Sequence, residues 1–253
     1  MINDNKNVYS SVEFDSWAYR SGLIPSEQFL IKNYFDSAQE TVEAGTSGGR
    51  ILLDLQLRGF TKLWGFDYVP EFIDGAKKRD KSGKIQFAVM DATQLSYQDG
   101  QFVQAIYLQQ IFSMIETEDG RKKAAAEAFR ILCKDGVLLI SFCCFESRKS
   151  KVLYRLLMAW VRLLRISLNR NITIQLLPWF KHAKAFNWLA LLDEGPYVYW
   201  FRVEEAEKLL VEAGFRIVAV GTDQQILDRN MTTSTFTLRD KPKKGMLYFV
   251  CKK

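Results

Sequence analysis

VEAGTSGGR, residues 42–50, decides the fold. Three glycines (Gly45, Gly48, Gly49) crowd one short loop, and a carboxylate, Glu43, stands two residues before the first of them. Residues 39–42 read as extended, although only Thr41 and Val42 are β-branched, and the apolar spacing of 51–57 reads as helix. Glycine accepts positive φ and lets another molecule approach the backbone closely. A helix that starts on such a loop turns its free amides toward the gap. Strand, glycine turn and helix in that order suit a nucleotide-like ligand.

The pattern continues outward. Strand-like runs fall at 62–66, 84–90, 102–108 and 137–143, with helical runs at 49–57, 70–79 and 121–132 and a loop at 91–99. Asp135-Gly136 reads as a turn just before the fifth strand. Strands alternating with helices imply a mostly parallel sheet covered on both faces. Near the C-terminus a helix at 203–213 closes on Gly214, a strand follows at 215–221, and the chain finishes with a strand at 246–252. No long helical run separates those two strands, so they are expected to form an antiparallel hairpin.

Bulk properties set wide bounds. A length of 253 residues with 48% hydrophobic content allows one large α/β domain with an insertion. A net charge of +6 decides little until its distribution is known. Cys133, Cys143, Cys144 and Cys251 show neither metal-ligand spacing nor a disulfide framework, so reduced thiols and no metal are expected. The polar start MINDNKNVYSS is unlike a secretion signal, and a cytoplasmic location follows as the expectation.

Three acids fall at the carboxyl ends of successive expected strands: Glu43, Asp67 and Asp91. In a doubly wound sheet that edge holds the ligand. Asp67 lies about 20 residues beyond the loop, the spacing at which an acid reaches ribose hydroxyls. Together VEAGTSGG, GFDYVPEFIDGAKKR, FAVMDATQLSYQDGQF and ILCKDGVLLIS resemble the class I S-adenosylmethionine-dependent methyltransferases, small-molecule branch. The resemblance covers residues 39 to about 144, and VEEAEKLLVEAGFRIVAV with the last strand resembles that family's C-terminal half.

It implies an α/β fold: a doubly wound, mostly parallel seven-strand sheet with a C-terminal antiparallel hairpin. An N-terminal helical cap (1–38) and a helical lid insertion after the fifth strand (148–201) flank a core of 39–147 and 202–253. It also implies S-adenosylmethionine as cofactor and S-adenosylhomocysteine as product. Glu43, Ala44, Gly45, Thr46 and Gly49 would hold the methionyl part, Asp67 and Tyr68 the ribose, and Met90, Asp91 and Ala92 the adenine. Gln109 at the end of the fourth strand and Arg20 from the cap complete the expected contacts. Ser47 replaces the family's middle glycine, and Val103 stands where an aspartate is usual.

The acceptor is approached by elimination. No Asn/Asp-Pro-Pro-aromatic signature follows the fourth strand, and no Pro-Cys supplies a cytosine nucleophile, which argues against nucleic acid. A small-molecule acceptor is left; a hydrophobic, aromatic one methylated on O or N is expected, with carbon methylation left open. Tyr9, Phe14, Trp17 and Tyr19 in the cap, Gln110, and Trp179, Phe186, Tyr197 and Trp200 in the insertion are its expected contacts. His182, the only histidine, is the first candidate for a general base, ahead of Glu146, Asp193 and Tyr197.

From 148 to 192 the chain has nine Lys or Arg and no acid. On a helical wheel Lys151, Arg155, Arg162, Arg165 and Asn169 share one narrow stripe beside a broad apolar face. Two central arginines would each cost about 2.5–3.5 kcal/mol at a bilayer midplane, so the segment does not span a membrane. Three readings stand for it: a lid whose apolar side lines the acceptor pocket, plain packing against the sheet or a second subunit, and a peripheral membrane-surface helix. Three other classes stand beside the small-molecule enzyme: a non-catalytic cofactor-binding scaffold, a nucleic-acid methyltransferase using the basic insertion, and an NAD-dependent oxidoreductase. The third acid and the terminal hairpin argue against the last. The oligomeric state is left open.

Overall fold

The computed structural model describes residues 14–182 and 185–253. β1 (Thr41–Ala44) lies in the interior of the sheet with all four residues buried, and it pairs in parallel with β2 (Leu63–Asp67) and β4 (Phe102–Tyr107). β3 (Gln86–Val89) adds beyond β2 and β5 (Leu132–Phe142) beyond β4, both parallel. β6 (Arg216–Thr222) and β7 (Leu247–Lys252) complete seven strands in the order β6-β7-β5-β4-β1-β2-β3. β7 runs antiparallel to both β5 and β6, which is the expected terminal hairpin. Two short helices, Asp223–Leu227 and Thr235–Leu238, lie in the connection between β6 and β7.

Helices cover both faces. α1 (Phe14–Ala18) and α2 (Pro25–Tyr34) precede the sheet, and α3 (Arg50–Leu57) and α4 (Pro70–Arg79) follow β1 and β2. α5 (Ile111–Met114) and α6 (Glu118–Ile131) follow β4. α7 (Phe145–Lys149) and α8 (Val152–Ser167) belong to the insertion, and α9 (Val203–Glu212) leads into β6. Alternation along β5 serves both layers. Leu138, Ile140 and Phe142 join the core under α6 and α9, while Leu139 joins the core that holds Leu30, Ile31, Ile51 and Leu55 from α2 and α3.

Two boundaries differ from the sequence reading. The first strand begins at Thr41 rather than at residue 39, so Glu43 lies inside it, paired between Gly65 and Ile106. Asp135-Gly136 sits within β5 instead of before it. Asp135 takes φ 64°, and the pairing with β4 jumps from Phe102↔Leu132 to Gln104↔Val137, so the turn-forming pair makes a bulge in a continuous strand.

The insertion leaves and returns at one point. Phe145 N donates to Phe201 O at 2.9 Å, and Phe201 N donates to Cys143 O at 2.8 Å. It has its own small core of Met158, Val161, Leu177, Phe180 and Ala190. Arg165, grouped by the helical wheel with the cations of the basic stripe, is buried. Its guanidinium donates to Asp193 Oδ1 at 2.6 Å and Oδ2 at 2.8 Å, and also to the carbonyls of Thr173 and Leu176. Tyr197 Oη donates to Asp193 O at 2.5 Å from the other side. Breaking such a pair by removing one partner leaves a buried charge, at a cost of about 3–5 kcal/mol. Asp193→Ala is therefore expected to open the insertion to limited proteolysis while β1, β4 and β5 keep their amide exchange protection. The double variant Arg165→Met/Asp193→Leu should recover part of the protease resistance.

Candidate functional site

A cavity of about 240 Å³ opens at the carboxyl ends of β1 to β4. Glu43, Gly45, Thr46, Asp67, Tyr68, Met90, Asp91, Ala92 and Gln109 line it, as the sequence reading expects of cofactor contacts. Parallel pairing is the cause: β3, β2 and β1 lie side by side, so Asp91, Asp67 and Glu43 finish at one edge. Ala44, Gly49 and Arg20 do not line it. Ala44 is buried in β1, and Gly49 caps α3 at φ 77°. Arg20 places its guanidinium over the Trp17 ring, 4.8 Å from the centroid.

The glycine loop is shaped by contacts that a side chain would block. A Cβ on Gly45 would lie 2.1 Å from Ile111 Cδ1, inside the cavity wall. A Cβ on Gly48 would lie 2.0 Å from Ala18 O, so only glycine lets α1 close over the loop. Ser47 takes φ 48°, the left-handed region that the family's glycine would suit, and its amide donates to Asp67 Oδ2 at 3.0 Å.

Each acid has a distinct state. Glu43 is buried with Thr46 Oγ1 donating to its Oε2 at 2.7 Å, and burial pushes its carboxyl up to about 8. Asp67 accepts the amides of Ser47 and Val69, one on each oxygen, and burial outweighs them to push it up to about 6. Asp91 is exposed and accepts the Thr93 amide and hydroxyl on Oδ1, both at 2.8 Å, which leaves Oδ2 for a ligand. Burial holds the Cys143 and Cys144 thiols up at about 12, so both are protonated packing groups at neutral pH.

Of the expected acceptor contacts among the described residues, only Trp17 lines the cavity. Phe14 stacks on Phe72, which does line it, at 5.2 Å, and Tyr19 is exposed with its ring edge against Phe14. Gln110 turns away and accepts the Cys143 thiol at 3.4 Å. Trp179, Phe186, Tyr197 and Trp200 stay with the insertion: Phe186 packs on Trp188, Tyr197 binds Asp193, and Trp200 stacks beneath Arg148 at 4.4 Å. Of the other base candidates, Asp193 is wholly buried on Arg165 and Tyr197 is committed to Asp193, so neither faces an acceptor. Glu146 is not among the lining residues and accepts the Cys144 thiol. The backbone of His182 lies in a two-residue strand paired with Ala185–Phe186. Tyr9 and the side chain of His182 lie outside the described residues.

The sequence reading missed two parts of the wall. One is α5, whose Ile111 and Met114, with Ile115 and Glu116 beyond, close the cavity opposite the glycine loop. IFSMI carries helical apolar spacing, but five residues after a strand are too few to declare it. The other is Arg50, which lines the cavity and is held by Glu27 through bonds of 2.6 and 2.7 Å. Glu27 also accepts the Gln109 side-chain amide at 2.7 Å and the Ile24 amide at 2.9 Å. Pro25 and Glu27 in IPSE mark a helix start, and that signal was available.

A Rossmann-like sheet with acids at three neighbouring strand ends and a glycine loop defines a class of nucleoside-cofactor enzymes. Residues 42–140 match the family model described as a methyltransferase domain. Among solved structures, a Methanosarcina mazei S-adenosylmethionine-dependent methyltransferase is 20% identical over 88% of this chain and 96% of its own, with a TM-score of 0.65. A Thermotoga maritima S-adenosylmethionine-dependent methyltransferase, described as a candidate histamine N-methyltransferase, is 15% identical over 98% and 99%, with a TM-score of 0.59. A methyltransferase from Haloferax volcanii in complex with the activator Trm112 is 15% identical over 100% and 99%, with a TM-score of 0.60. No curated protein sequence matches the chain. Residues 42–140 carry a methyltransferase domain, on a fold shared with S-adenosylmethionine-dependent methyltransferases; the protein is a methyltransferase, and S-adenosylmethionine is its cofactor.

The residues fit that cofactor. A carboxyl as buried as Glu43 gains most from a cationic neighbour, and an ammonium group provides one. The sign of its linkage is testable. Its folded value lies above the ordinary 4.5, so the stability it confers is present at low pH and is lost as pH rises toward about 8, at about 1.4 kcal/mol per unit. Glu43→Gln is expected to flatten that decline in the ligand-free protein. Calorimetry at pH 7 in buffers of different ionisation enthalpy should show proton release when S-adenosylhomocysteine binds the wild type. The variant should show none and bind at least about tenfold more weakly. Binding without proton release by the wild type would mean that Glu43 does not meet the ammonium.

Proposed function

We propose that the enzyme transfers methyl to an oxygen or nitrogen of a hydrophobic, aromatic small molecule. The observation that supports this best is the charge and texture of the cavity wall. Among the described residues, Glu43, Asp67, Asp91 and Glu116 line it, against a single cation, Arg50, which is already paired with Glu27. A phosphodiester backbone finds no counter-charge there, and nucleic-acid binding rests on such charge. Trp17, Ile111, Met114 and Ile115 instead give an apolar surface that suits an aromatic ring.

When bound, the sulfonium supplies a methyl group that is already activated for displacement. The chain's part is then positioning. Glu43 and the loop amides hold the amino-acid end, Asp67 the ribose and Asp91 the base. Trp17 and α5 exclude water and orient the acceptor against Gln109. An alcohol acceptor must also lose its proton, and His182 is assigned that role on chemistry, as the one imidazole in the chain.

The test is S-adenosylhomocysteine formation over a panel of hydrophobic phenols, aromatic amines and RNA. Turnover is expected on phenols or amines and not on RNA. Trp17→Ala should raise the acceptor KM roughly tenfold. His182→Gln should lower kcat about 100-fold for phenols while leaving S-adenosylhomocysteine binding unchanged. Turnover confined to RNA, or cofactor binding with no turnover anywhere on the panel, would overturn the proposal.

A further inference from the structure

Helix α8 buries one side only. Met158, Val161 and Arg165 face the insertion's interior. On the opposite side Val152, Leu153, Leu156, Leu163 and Ile166 are 63–71% exposed, with Trp160 among them at 47%. At about 100° per residue these six cover about 140° of the helix surface. Trp160 Nε1 donates to Leu191 O at 2.8 Å and ties the 3-10 turn Trp188–Leu192 alongside. Trp188, Leu189 and Leu192 on that turn are also exposed, so the apolar surface runs on from the helix. Single exposed leucines need no explanation; a joined surface of nine large apolar side chains does.

Its charge says what covers it. Lys151, Arg155 and Arg162 follow one edge of the apolar face, and among the described residues no carboxylate pairs with them. Residues 148–192 contain no acid at all, and the acid that does reach α8, Asp193, is turned inward on Arg165 and Arg170. At the C-terminal end of the helix, Arg162, Asn169, Arg170 and Asn171 line an open slot that also touches Ile166. Donors thus stand beside the apolar face at the level where a lipid phosphate would lie. A second copy of the chain would meet this face with the same unpaired cations. No helix among the described residues is long and apolar enough to cross a membrane.

We propose that this face docks the enzyme on an anionic lipid bilayer, with α8 lying in the plane of the interface. Leucines and tryptophans enter the acyl boundary, and the lysine and arginines meet the headgroups. The inference is independent of which acceptor the cavity takes.

Flotation of the full chain with phosphatidylcholine vesicles, with and without phosphatidylglycerol, tests it. The protein is expected to float with the anionic vesicles and to be released as salt is raised. Arg155→Glu/Arg162→Glu should weaken binding at least about tenfold, and Arg155→Lys/Arg162→Lys should restore it. Leu156→Asp/Leu163→Asp should abolish it. Lys122→Glu/Lys123→Glu on α6 should leave it unchanged. S-adenosylhomocysteine affinity, read by calorimetry, should be the same in all of them and reports an intact fold. Failure to float with anionic vesicles would overturn the proposal, as would equal binding to pure phosphatidylcholine. A dimer in solution that Leu156→Asp splits into monomers would also overturn it, by giving the face to a second copy.

Discussion

The buried pair of Arg50 and Glu27 is the contact on which the site's geometry depends. Arg50 is the first residue of α3, directly after the glycine loop, and Glu27 sits in the first turn of α2. Their two bonds, with Glu27 also accepting Gln109 and Arg50 also donating to Gly22 O, lock three separate pieces of chain together. One is the loop that faces the cofactor, one is the cap, and one is the end of β4. Gln109 and Gln110 stand at φ 60° and 75°, unfavourable for residues with a Cβ, and the Glu27 bond holds the first of them there. A buried pair adds little net stability over an apolar one. Its value here is registration.

That pairing also leaves the described cavity wall without a free guanidinium. Arg50 lies near enough to Glu43 to favour its ionisation, yet desolvation still dominates and the carboxyl stays high. A guanidinium free of Glu27 would compete with a ligand's ammonium group for Glu43. Spent on Glu27, it leaves a site whose unsatisfied demand is for positive charge. The sulfonium and ammonium of S-adenosylmethionine meet that demand, and a phosphate-rich dinucleotide does not.

The sheet and half of the site were legible because both follow from local pattern. Alternating runs fixed the strand order's class, and an acid at each strand end becomes a cluster once neighbouring strands are parallel. Glu43, Asp67 and Asp91 needed no more than that. Other features depend on contacts across long sequence separation, which periodicity cannot carry. Glu27 and Arg50 are 23 residues apart, and Arg165 and Asp193 are 28 apart. A helical wheel groups Arg165 with Arg155 and Arg162 because nothing local distinguishes the three; only Asp193 does. The aromatic residues of the insertion were misplaced for a similar reason. Rings dense enough to line a pocket are also dense enough to build a small core, and here Phe180 and Trp200 join one while Tyr197 braces Asp193.

The insertion therefore does two physically separate things. Its inner side is closed on itself through Arg165, Asp193 and Tyr197, so α8 cannot swing inward to present leucines to the cavity without breaking a buried ion pair. Its contact with the catalytic domain runs through the strand Tyr197–Tyr199, which packs on α5, and α5 is the apolar wall of the cavity. The leucines of α8 are on the far side of that rigid unit. The cavity wall is built from α5 and Trp17, and among the described residues none of α8 lines it. A hydrophobic surface left exposed on the outer side of the insertion and edged by cations is the surface that the proposed bilayer contact would use.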